Sequence, residues 1–265
     1  MEIHSRLAST TSPRGTVLVT HGYGEHSGHY APLFEALHAA DFDVIYGDLP
    51  GHGTAPGPRG IVDVGALISL HIRTRRLALT RARTADLFCL GHSMGGLITA
   101  ASALIDPHNL KGIILCAPAL QPLPQVDPEV ARRLVAVGRF IPWAPAAFLS
   151  PSLVSCDPAV VQKILDDPLF ITDRPVSVLT GGTMTVQAAE TRKRAGTLAV
   201  PAVIFHGTHD KLADLSASRQ FVASAVAARP QADVTLNVVD GGWHQLLDER
   251  PEIIGQMIQW LDARS

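Results

Sequence analysis

Short apolar runs alternate with amphipathic segments along most of the chain. The runs are rich in β-branched and other apolar residues, as is typical of buried strands, and they cover 16–20, 42–48, 86–90, 112–117, 200–205 and 234–239. Between them, apolar residues recur at helical spacing, and these segments cover about 30–40, 61–79, 97–105, 215–228 and 253–261. Strands that alternate with helices predict a mostly parallel central sheet flanked by helices on both faces.

The alternation stops in the middle of the chain. Residues 118–175 hold 10 of the 19 prolines, and their apolar pieces include no strand-like run of comparable quality. We interpret 118–190 as an inserted helical cap. On this interpretation, 1–117 and 191–265 together form one α/β core.

Gly91-His92-Ser93-Met94-Gly95 is a G-x-S-x-G string between a predicted strand and a predicted helix. Such a turn holds its serine in a strained conformation and exposes the hydroxyl above the sheet. Small residues are needed at 91 and 95, where a side chain would collide with the neighbouring strand or helix. The bare pattern is more often a chance turn, but the flanking strand and helix favour Ser93 as a nucleophile.

A serine hydroxyl needs a base to become a nucleophile, and the base needs an orienting carboxylate. Asp210 follows the predicted strand at 200–205, and His244 follows the last predicted strand. In open parallel sheets, functional groups collect at the carboxyl ends of the strands. The order Ser93, Asp210, His244 is the one expected of an α/β-hydrolase, so we predict that these three residues form a catalytic triad.

Other groups compete for these roles. Asp214 comes just before a predicted helix and is interpreted as its N-cap, and Asp240 lies too close to the end of its strand to serve as the acid. His206, His209 and Asp210 have the ligand types of a metal site. Because the triad already uses Asp210, we predict no metal, and the acyl-enzyme chemistry of a serine needs no cofactor.

Acyl transfer to serine also requires two N–H donors that stabilise the oxyanion. One is the backbone N–H after the nucleophile, which here belongs to Met94. The other comes from the loop after the strand at 16–20, where the sequence is His21-Gly22-Tyr23-Gly24. We predict the Tyr23 N–H as this second donor; the alternative is an ordinary glycine turn.

Composition excludes several classes of function. The formal net charge is −2, and no basic stripe is present that would neutralise the phosphates of a nucleic acid. The three cysteines have no metal-type spacing. The N-terminus lacks the apolar core of a signal peptide and no run is long enough to span a membrane, so we expect a soluble, cytoplasmic protein.

Five strings lie in order along nearly the whole chain. They are HGYGEHSGHY at 21–30, DLPGHG at 48–53, GHSMGG at 91–96, GTHDKLAD at 207–214, and GWHQ at 242–245 followed by ERPE at 249–252. Together they resemble the monoacylglycerol lipase and lysophospholipase branch of the α/β-hydrolase superfamily, which grades into the serine aminopeptidase-like hydrolases. The first string is much more specific than G-x-S-x-G alone.

This resemblance implies a serine esterase that cleaves monoacylglycerol to glycerol and a free fatty acid, with an apolar cap that guides the acyl chain. It also implies that Glu25 shapes the polar, alcohol-side pocket. Position 29 is His, where the eukaryotic monoacylglycerol lipases carry Arg, so His29 is a candidate for a different recognition of glycerol. The segment before Thr16 is short, which predicts a first strand that is reduced or absent.

The apolar residues of the cap agree with a lipid ester as substrate. These residues are Leu134, Val137, Phe140, Ile141, Trp143, Phe148 and Leu149. Two interpretations of them stay open: they form a tunnel or lid for the acyl chain, or they only pack the cap against the sheet. Each buried methylene of an acyl chain contributes roughly 0.8 kcal/mol, so such a cap can select chain length. An exposed apolar rim would also suit transient contact with a membrane or micelle surface.

Other functions stay open beside the monoacylglycerol lipase. Within enzymes, the alternative is a promiscuous carboxylesterase or a lysophospholipase. From another class, it is a ligand receptor on the same fold, with slow single turnover at Ser93. Peptidase activity is disfavoured, because no acidic pocket for a free amino terminus can be assigned.

Overall fold

The computed structural model describes residues 2–122 and 124–265. Its strands are β1 His4–Arg6, β2 Gly15–Thr20, β3 Phe42–Tyr46, β4 Leu87–His92, β5 Gly112–Cys116, β6 Pro145–Ala147, β7 Val176–Ser177, β8 Ala202–Gly207 and β9 Val234–Val239. Within the described residues, seven of them form a central sheet in the order β1-β3-β2-β4-β5-β8-β9. All neighbours from β3 to β9 are parallel, which confirms the predicted mostly parallel sheet.

Helices connect these strands. They are α1 Ala31–Ala39, α2 Val64–Arg81, α3 Met94–Ile105, α4 Pro128–Gly138, α5 Pro158–Asp166, α6 Val178–Lys193, α7 Leu215–Ala228, α8 Leu246–Glu249 and α9 Glu252–Asp262. Short 3₁₀ turns cover Ser27–Tyr30, Pro151–Leu153 and Ala195–Thr197. The predicted bounds of α7 and β9 agree with the structure residue for residue.

The side chains of the parallel strands point alternately to two apolar cores, one on each face of the sheet. On one face, Leu18 and Cys89 pack with residues of α2, α3 and α7. On the other face, Val17 and Phe88 pack with residues of α1 and α9. Because both faces are covered, the central strands β2, β4, β5 and β8 are buried along their whole length, as their continuous apolar runs predict.

The first strand is short. β1 has three residues and pairs with β3 in the antiparallel direction, with His4 opposite Tyr46. This agrees with the reduced first strand expected from the short segment before Thr16. β1 therefore lies at one edge of the sheet, away from the strand ends that carry the candidate site.

The 118–190 segment lies between β5 and β8. It contains α4, α5 and most of α6, together with a two-stranded antiparallel sheet of β6 and β7. The sequence predicts no strand in this segment, and the difference arises because these two strands are only three and two residues long. Strands so short leave no period-2 pattern in the sequence. Helix α6 continues through residue 190, where the sequence places the end of the inserted segment.

In the part of the chain that the structure describes, none of the helices combines the length and the apolar character that crossing a membrane requires.

Candidate active site

Ser93 lies in the turn between β4 and α3, with φ +52° and ψ −119°. A residue other than glycine rarely adopts positive φ, and it persists there only when its surroundings hold it. Three backbone hydrogen bonds do so: the Ser93 N–H donates to Cys116 O at 3.0 Å, and Ser93 O accepts from the N–H groups of Leu97 and Ala119 at 3.0 and 2.9 Å. The predicted strained serine turn is therefore present.

The two glycines of the turn are needed for close packing. A Cβ atom on Gly91 would overlap the carbonyl oxygen of Gly95. A Cβ atom on Gly95 would overlap the carbonyl oxygens of Thr20 and His21. These contacts are with backbone atoms, which cannot move aside, so the expected need for small residues at both positions is confirmed.

The structure brings Ser93, His244 and Asp210 together in a hydrogen-bonded line. His244 Nε2 is 2.8 Å from Ser93 Oγ. His244 Nδ1 is 2.8 Å from Asp210 Oδ2. Asp210 lies in the loop after β8 and His244 in the loop after β9, so the carboxyl ends of adjacent parallel strands supply both residues.

The carboxylate of Asp210 is fixed from several sides. Its Oδ1 accepts hydrogen bonds from the N–H groups of Leu212 and Ala213 at 2.8 and 2.9 Å. His206 Nε2 lies 3.3 Å from its Oδ2. Burial raises the pKa of Asp210, but the charge of His244 and the hydrogen bonds from both histidines lower it well below its usual range. The carboxylate therefore stays ionised and points at the imidazole of His244.

The competing groups have other positions. Asp214 caps the N-terminus of α7, as predicted. Asp240 is exposed, and His209 is exposed while His206 is buried. Among residues 2–122 and 124–265, no group of three or more His, Cys, Asp or Glu side chains could hold a metal ion.

The loop at 21–24 lies against the serine. A Cβ atom on Gly22 would stand 3.0 Å from Ser93 Cβ, so the backbone of this loop approaches the nucleophile closely. Among the described residues, neither the Tyr23 N–H nor the Met94 N–H has a hydrogen-bond acceptor. In the described part of the chain, both predicted donors therefore lack a protein acceptor.

Glu25 is buried directly behind this loop. Its carboxylate accepts hydrogen bonds from the Gly22 N–H at 2.7 Å, the Tyr30 hydroxyl at 2.5 Å and the Gln245 amide at 3.1 Å, and it pairs with His92 Nδ1 at 3.0 Å. Burial raises the pKa of Glu25, but His92 and the other donors lower it well below its usual range. Glu25 borders the pocket above Ser93, yet both of its oxygens are already engaged by the protein.

His29 lies behind Gln245, which itself lines the pocket above Ser93. Its Nε2 is 2.8 Å from Asp248 Oδ2, and its ring packs edge-on against Phe170 with ring centres 4.9 Å apart. Asp248 also binds Lys163 Nζ at 2.8 Å. His29 does not line the pocket above Ser93. It lies where Phe170 and Lys163 of the 118–190 segment contact the rest of the chain.

A pocket of about 430 Å³ opens above Ser93 and His244. Its walls are mostly apolar, and the 118–190 segment supplies much of them through Leu134, Leu149, Val154, Ile164, Phe170 and Met184. Leu134 and Leu149 are two of the apolar residues that the sequence singles out in this segment. A pocket of this size and polarity suits a small organic ligand with an apolar part.

Other apolar residues of the 118–190 segment face outward. Phe140, Trp143 and Phe148 are 84%, 65% and 79% exposed. Val137 and Ile141 are also exposed. None of these five residues lines the pocket, and they are referred to together as the apolar rim.

Residues 11–251 of the chain match the family model described as serine aminopeptidase, S33. The chain belongs to the serine aminopeptidase S33 family. This match spans both the sheet domain and the 118–190 segment, in agreement with the resemblance drawn from the sequence strings.

The chain is also similar to individual proteins. A monoacylglycerol lipase of Mycolicibacterium smegmatis is 29% identical over 95% of this chain and 89% of its own length. A phospholipase of Bacillus subtilis is 30% identical over 76% of this chain and 78% of its own length. The crystal structure of a monoacylglycerol lipase from Paleococcus ferrophilus has a TM-score of 0.86 and 28% identity, with both chains covered completely. The predicted α/β-hydrolase fold is confirmed.

The site of this S33 family member contains residues that sequence reasoning missed. His206 supports Asp210, and His92 Nε2 donates to the carbonyl oxygen of His244 at 3.1 Å. Glu249 accepts the Trp243 N–H at 2.9 Å, next to His244. The available signal was position alone, since His92 lies within the string that carries Ser93 and His206 directly precedes the string that carries Asp210.

Proposed function

We propose that the chain is a serine hydrolase that cleaves the ester bond of monoacylglycerols to give glycerol and a free fatty acid. The observation that carries this proposal is the Ser93–His244–Asp210 line at the base of an apolar pocket of about 430 Å³. The monoacylglycerol lipases among its relatives support this choice of substrate.

In the first half of the reaction, His244 Nε2 accepts the proton of the Ser93 hydroxyl as the oxygen attacks the ester carbonyl. Asp210 accepts the hydrogen bond from His244 Nδ1 and stabilises the imidazolium that forms. The negative oxygen of the tetrahedral intermediate binds the free N–H groups of Met94 and Tyr23. His244 then donates the proton to the departing glycerol oxygen, which leaves an acyl group on Ser93.

In the second half, a water molecule enters beside the acyl group. His244 Nε2 takes a proton from this water, and the hydroxide attacks the acyl carbonyl. The same two N–H groups stabilise the second oxyanion. The fatty acid leaves when the proton returns from His244 to Ser93 Oγ.

The 118–190 segment acts as a cap that receives the acyl chain. This assignment is supported by the apolar walls that Leu134, Leu149 and Ile164 contribute to the pocket. Burial of each methylene contributes roughly 0.8 kcal/mol, so the length of the apolar wall sets the preferred chain length. At the end of the pocket that receives the glycerol group, Glu25 fixes the 21–24 loop by accepting the Gly22 N–H. His29 acts further from the substrate, where its side chain pairs with Asp248.

Substitution of the serine tests the assignment. Ser93→Ala should lower kcat about 10⁶-fold on 1-monoacylglycerols and on p-nitrophenyl esters, because the nucleophile is lost. The assay uses a series of monoacylglycerols of increasing chain length, and the matched control is Ser69→Ala on the exposed face of α2. Turnover by Ser93→Ala at more than trace level contradicts the proposed mechanism.

Hydrolysis of lysophospholipids is a second candidate, favoured by the 30% identity to a phospholipase. Both substrates carry one acyl chain, so the same triad and acyl pocket serve either. Rates on a monoacylglycerol and on a lysophospholipid of equal chain length distinguish them. A kcat/KM that is higher for the lysophospholipid selects this second function.

The apolar rim of the cap docks on the surface of a membrane or micelle that holds the substrate. This is supported by the exposure of Phe140, Trp143 and Phe148 beside a pocket that accepts an apolar chain. Aromatic side chains at such a position suit the headgroup level of a lipid surface.

Sedimentation with phosphatidylcholine vesicles tests the docking. The variant Phe140→Ser with Trp143→Ser should bind vesicles at least 10-fold more weakly, while activity on a dissolved short ester is unchanged. Leu77→Ser, which removes an exposed apolar residue from α2, serves as the control and should bind like the unsubstituted protein. Equal vesicle binding by all three proteins contradicts the docking.

A further inference from the structure

The two backbone amides that flank His244 are both bonded to groups connected with the cap. The Gln245 N–H donates to the carbonyl oxygen of Val154 at 2.9 Å, and Val154 lies in the cap. The Trp243 N–H donates to Glu249 Oε2 at 2.9 Å. The peptide groups on either side of His244 are therefore fixed by hydrogen bonds.

Glu249 in turn reaches the cap with its second oxygen. Its Oε1 accepts a hydrogen bond from the Ser155 hydroxyl, and it accepts the Cys156 N–H at 3.2 Å. Ser155 is 2% exposed, and its Oγ also accepts the Asp157 N–H at 3.0 Å, just before α5. The carboxylate of Glu249 thus joins the start of α5 to the loop that carries His244.

A third hydrogen bond fixes His244 from the core side. Its carbonyl oxygen accepts from His92 Nε2 at 3.1 Å. His92 is held by Glu25, whose other contacts are within the core and the His244 loop. Of the three backbone groups next to the imidazole, one is therefore bonded to the core, one directly to the cap and one to Glu249, which contacts the cap.

We infer that Glu249 and Ser155 are positioning residues that couple the seating of the cap to the placement of His244. When the cap is seated, Val154 and the Ser155–Glu249 contact hold the loop so that His244 Nε2 stays at Ser93 Oγ. When this contact is broken, the loop is released and the imidazole loses its alignment. The inference rests on the proposed role of His244 as the general base.

A carboxylate is required at position 249 because three donors converge on two oxygens. The donors are the Trp243 N–H, the Cys156 N–H and the Ser155 O–H. The amide of glutamine offers only one acceptor oxygen, and its NH₂ group faces a donor. Glu249→Gln therefore preserves the volume of the side chain but breaks one end of the contact.

Two pairs of matched substitutions test the coupling. Ser155→Ala is compared with Ser152→Ala, an exposed serine three residues earlier in the same segment. Glu249→Gln is compared with Glu252→Gln, an exposed glutamate in the first turn of α9. The substrate is p-nitrophenyl acetate, whose two-carbon acyl group needs little of the cap wall, so an effect on its kcat does not come from lost acyl-chain binding.

We expect kcat to fall about 3-fold in Ser155→Ala and about 10-fold in Glu249→Gln, with KM unchanged, as losses of one hydrogen bond and of a charged acceptor imply. The NMR resonance of the proton between His244 Nδ1 and Asp210 should broaden or shift in both variants. It should stay in place in Ser152→Ala and Glu252→Gln. A role confined to stability would lower the melting temperature without moving kcat or this resonance.

The double variant gives an independent measurement. If both residues act through one contact, the combined substitution lowers kcat no further than Glu249→Gln alone. Should Glu249→Gln fail to fold, the Ser155→Ala and Ser152→Ala pair decides the question. Wild-type kcat and an unmoved resonance in Ser155→Ala overturn the inference, whereas activity in Ser93→Ala overturns the proposed function itself.

Discussion

The core and the cap bury their apolar residues very differently. In α3 of the core, every residue from Met94 to Leu104 is buried. In α4 of the cap, only Ala131 and Gly138 are buried, although the helix is rich in apolar residues. The small apolar cluster centred on Val160, Ile164 and Phe170 belongs mainly to α5 and the segment after it.

This contrast separates two requirements of the same reaction. The serine turn needs a rigid environment, since its strained backbone persists only while closely packed neighbours hold it. Under the proposed function, the cap needs an apolar surface that a flexible acyl chain can reach. Polar contacts join part of it to the core, such as those of Arg59 with the carbonyl oxygens of residues 168–170 and of His26 with Asp167. Helix α6 also contributes Met184 and Ala188 to the apolar core.

The largest difference between the core and the cap is expected in stability, when one glycine in each region is replaced by alanine. Gly95→Ala places a Cβ atom on backbone carbonyl oxygens and should destabilise the fold by more than about 4 kcal/mol. Gly181→Ala in α6 meets only ordinary contacts of 3.6 and 3.8 Å and should stabilise the helix by about 0.5–1 kcal/mol. Thermal unfolding measures both changes. Similar melting temperatures for the two variants would mean that the core turn is no tighter than the cap.

Replacing one aspartate in each region tests chemistry instead of packing. Asp210→Asn should lower kcat about 10⁴-fold on a short ester, because the amide stabilises the wrong tautomer of His244. Asp167→Asn removes the partner of His26 in the cap and should keep kcat within a factor of about 3, as a partly exposed pair contributes little. Steady-state kinetics on p-nitrophenyl acetate measures both. A large loss in Asp167→Asn would place part of the chemistry in the cap.

The smallest effect concerns pH and the buried pair of Glu25 and His92. Burial opposes the charge of His92, but Glu25 outweighs it and raises the pKa of His92 above its ordinary value. The pKa of Glu25 is lowered. The stabilisation by Glu25 is present above its unfolded pKa of about 4.3, and that by His92 is complete below about 6.5 and is lost as pH rises through its folded pKa.

The melting temperature should therefore fall as the pH is raised from about 6.5 to 9. In His92→Gln this fall should be smaller, because a glutamine at this position carries no proton that is lost over this range. The comparison in the cap is Arg132→Gln, which breaks the exposed pair with Glu190 and should leave the pH dependence unchanged. An unaltered pH dependence in His92→Gln contradicts the charged state of this pair.

The same contrast explains how much of the fold the sequence predicts. Strands such as Leu87–His92 have continuous apolar runs because both faces of the sheet are covered, and helices such as Leu215–Ala228 have periodic apolar patterns because one side packs on the sheet. In the cap, Pro145–Ala147 and Val176–Ser177 pair across a separation of about 30 residues and are too short for any period. Their pairing depends on tertiary contacts that no local pattern records.

The candidate site divides in a similar way. Ser93, Asp210 and His244 combine a reactive side chain with a place at a strand end, and both properties are visible in the sequence. Glu249 and His92 act on His244 through its backbone, so neither residue type nor spacing indicates them. His29 belongs to the HGYGEHSGHY string at 21–30, but its partner Asp248 lies 219 positions further along the chain, so the sequence does not indicate their pairing.

The backbone of Ser93 also limits which nucleophiles this turn accepts. With φ at +52°, the residue tolerates a single substituent on Cβ beyond its backbone. Cysteine meets that condition, so the same turn can also hold a thiol nucleophile. Threonine carries the same hydroxyl, but its branched Cβ makes this conformation an outlier. At this turn, chain geometry therefore selects between two hydroxyl side chains of nearly equal chemistry.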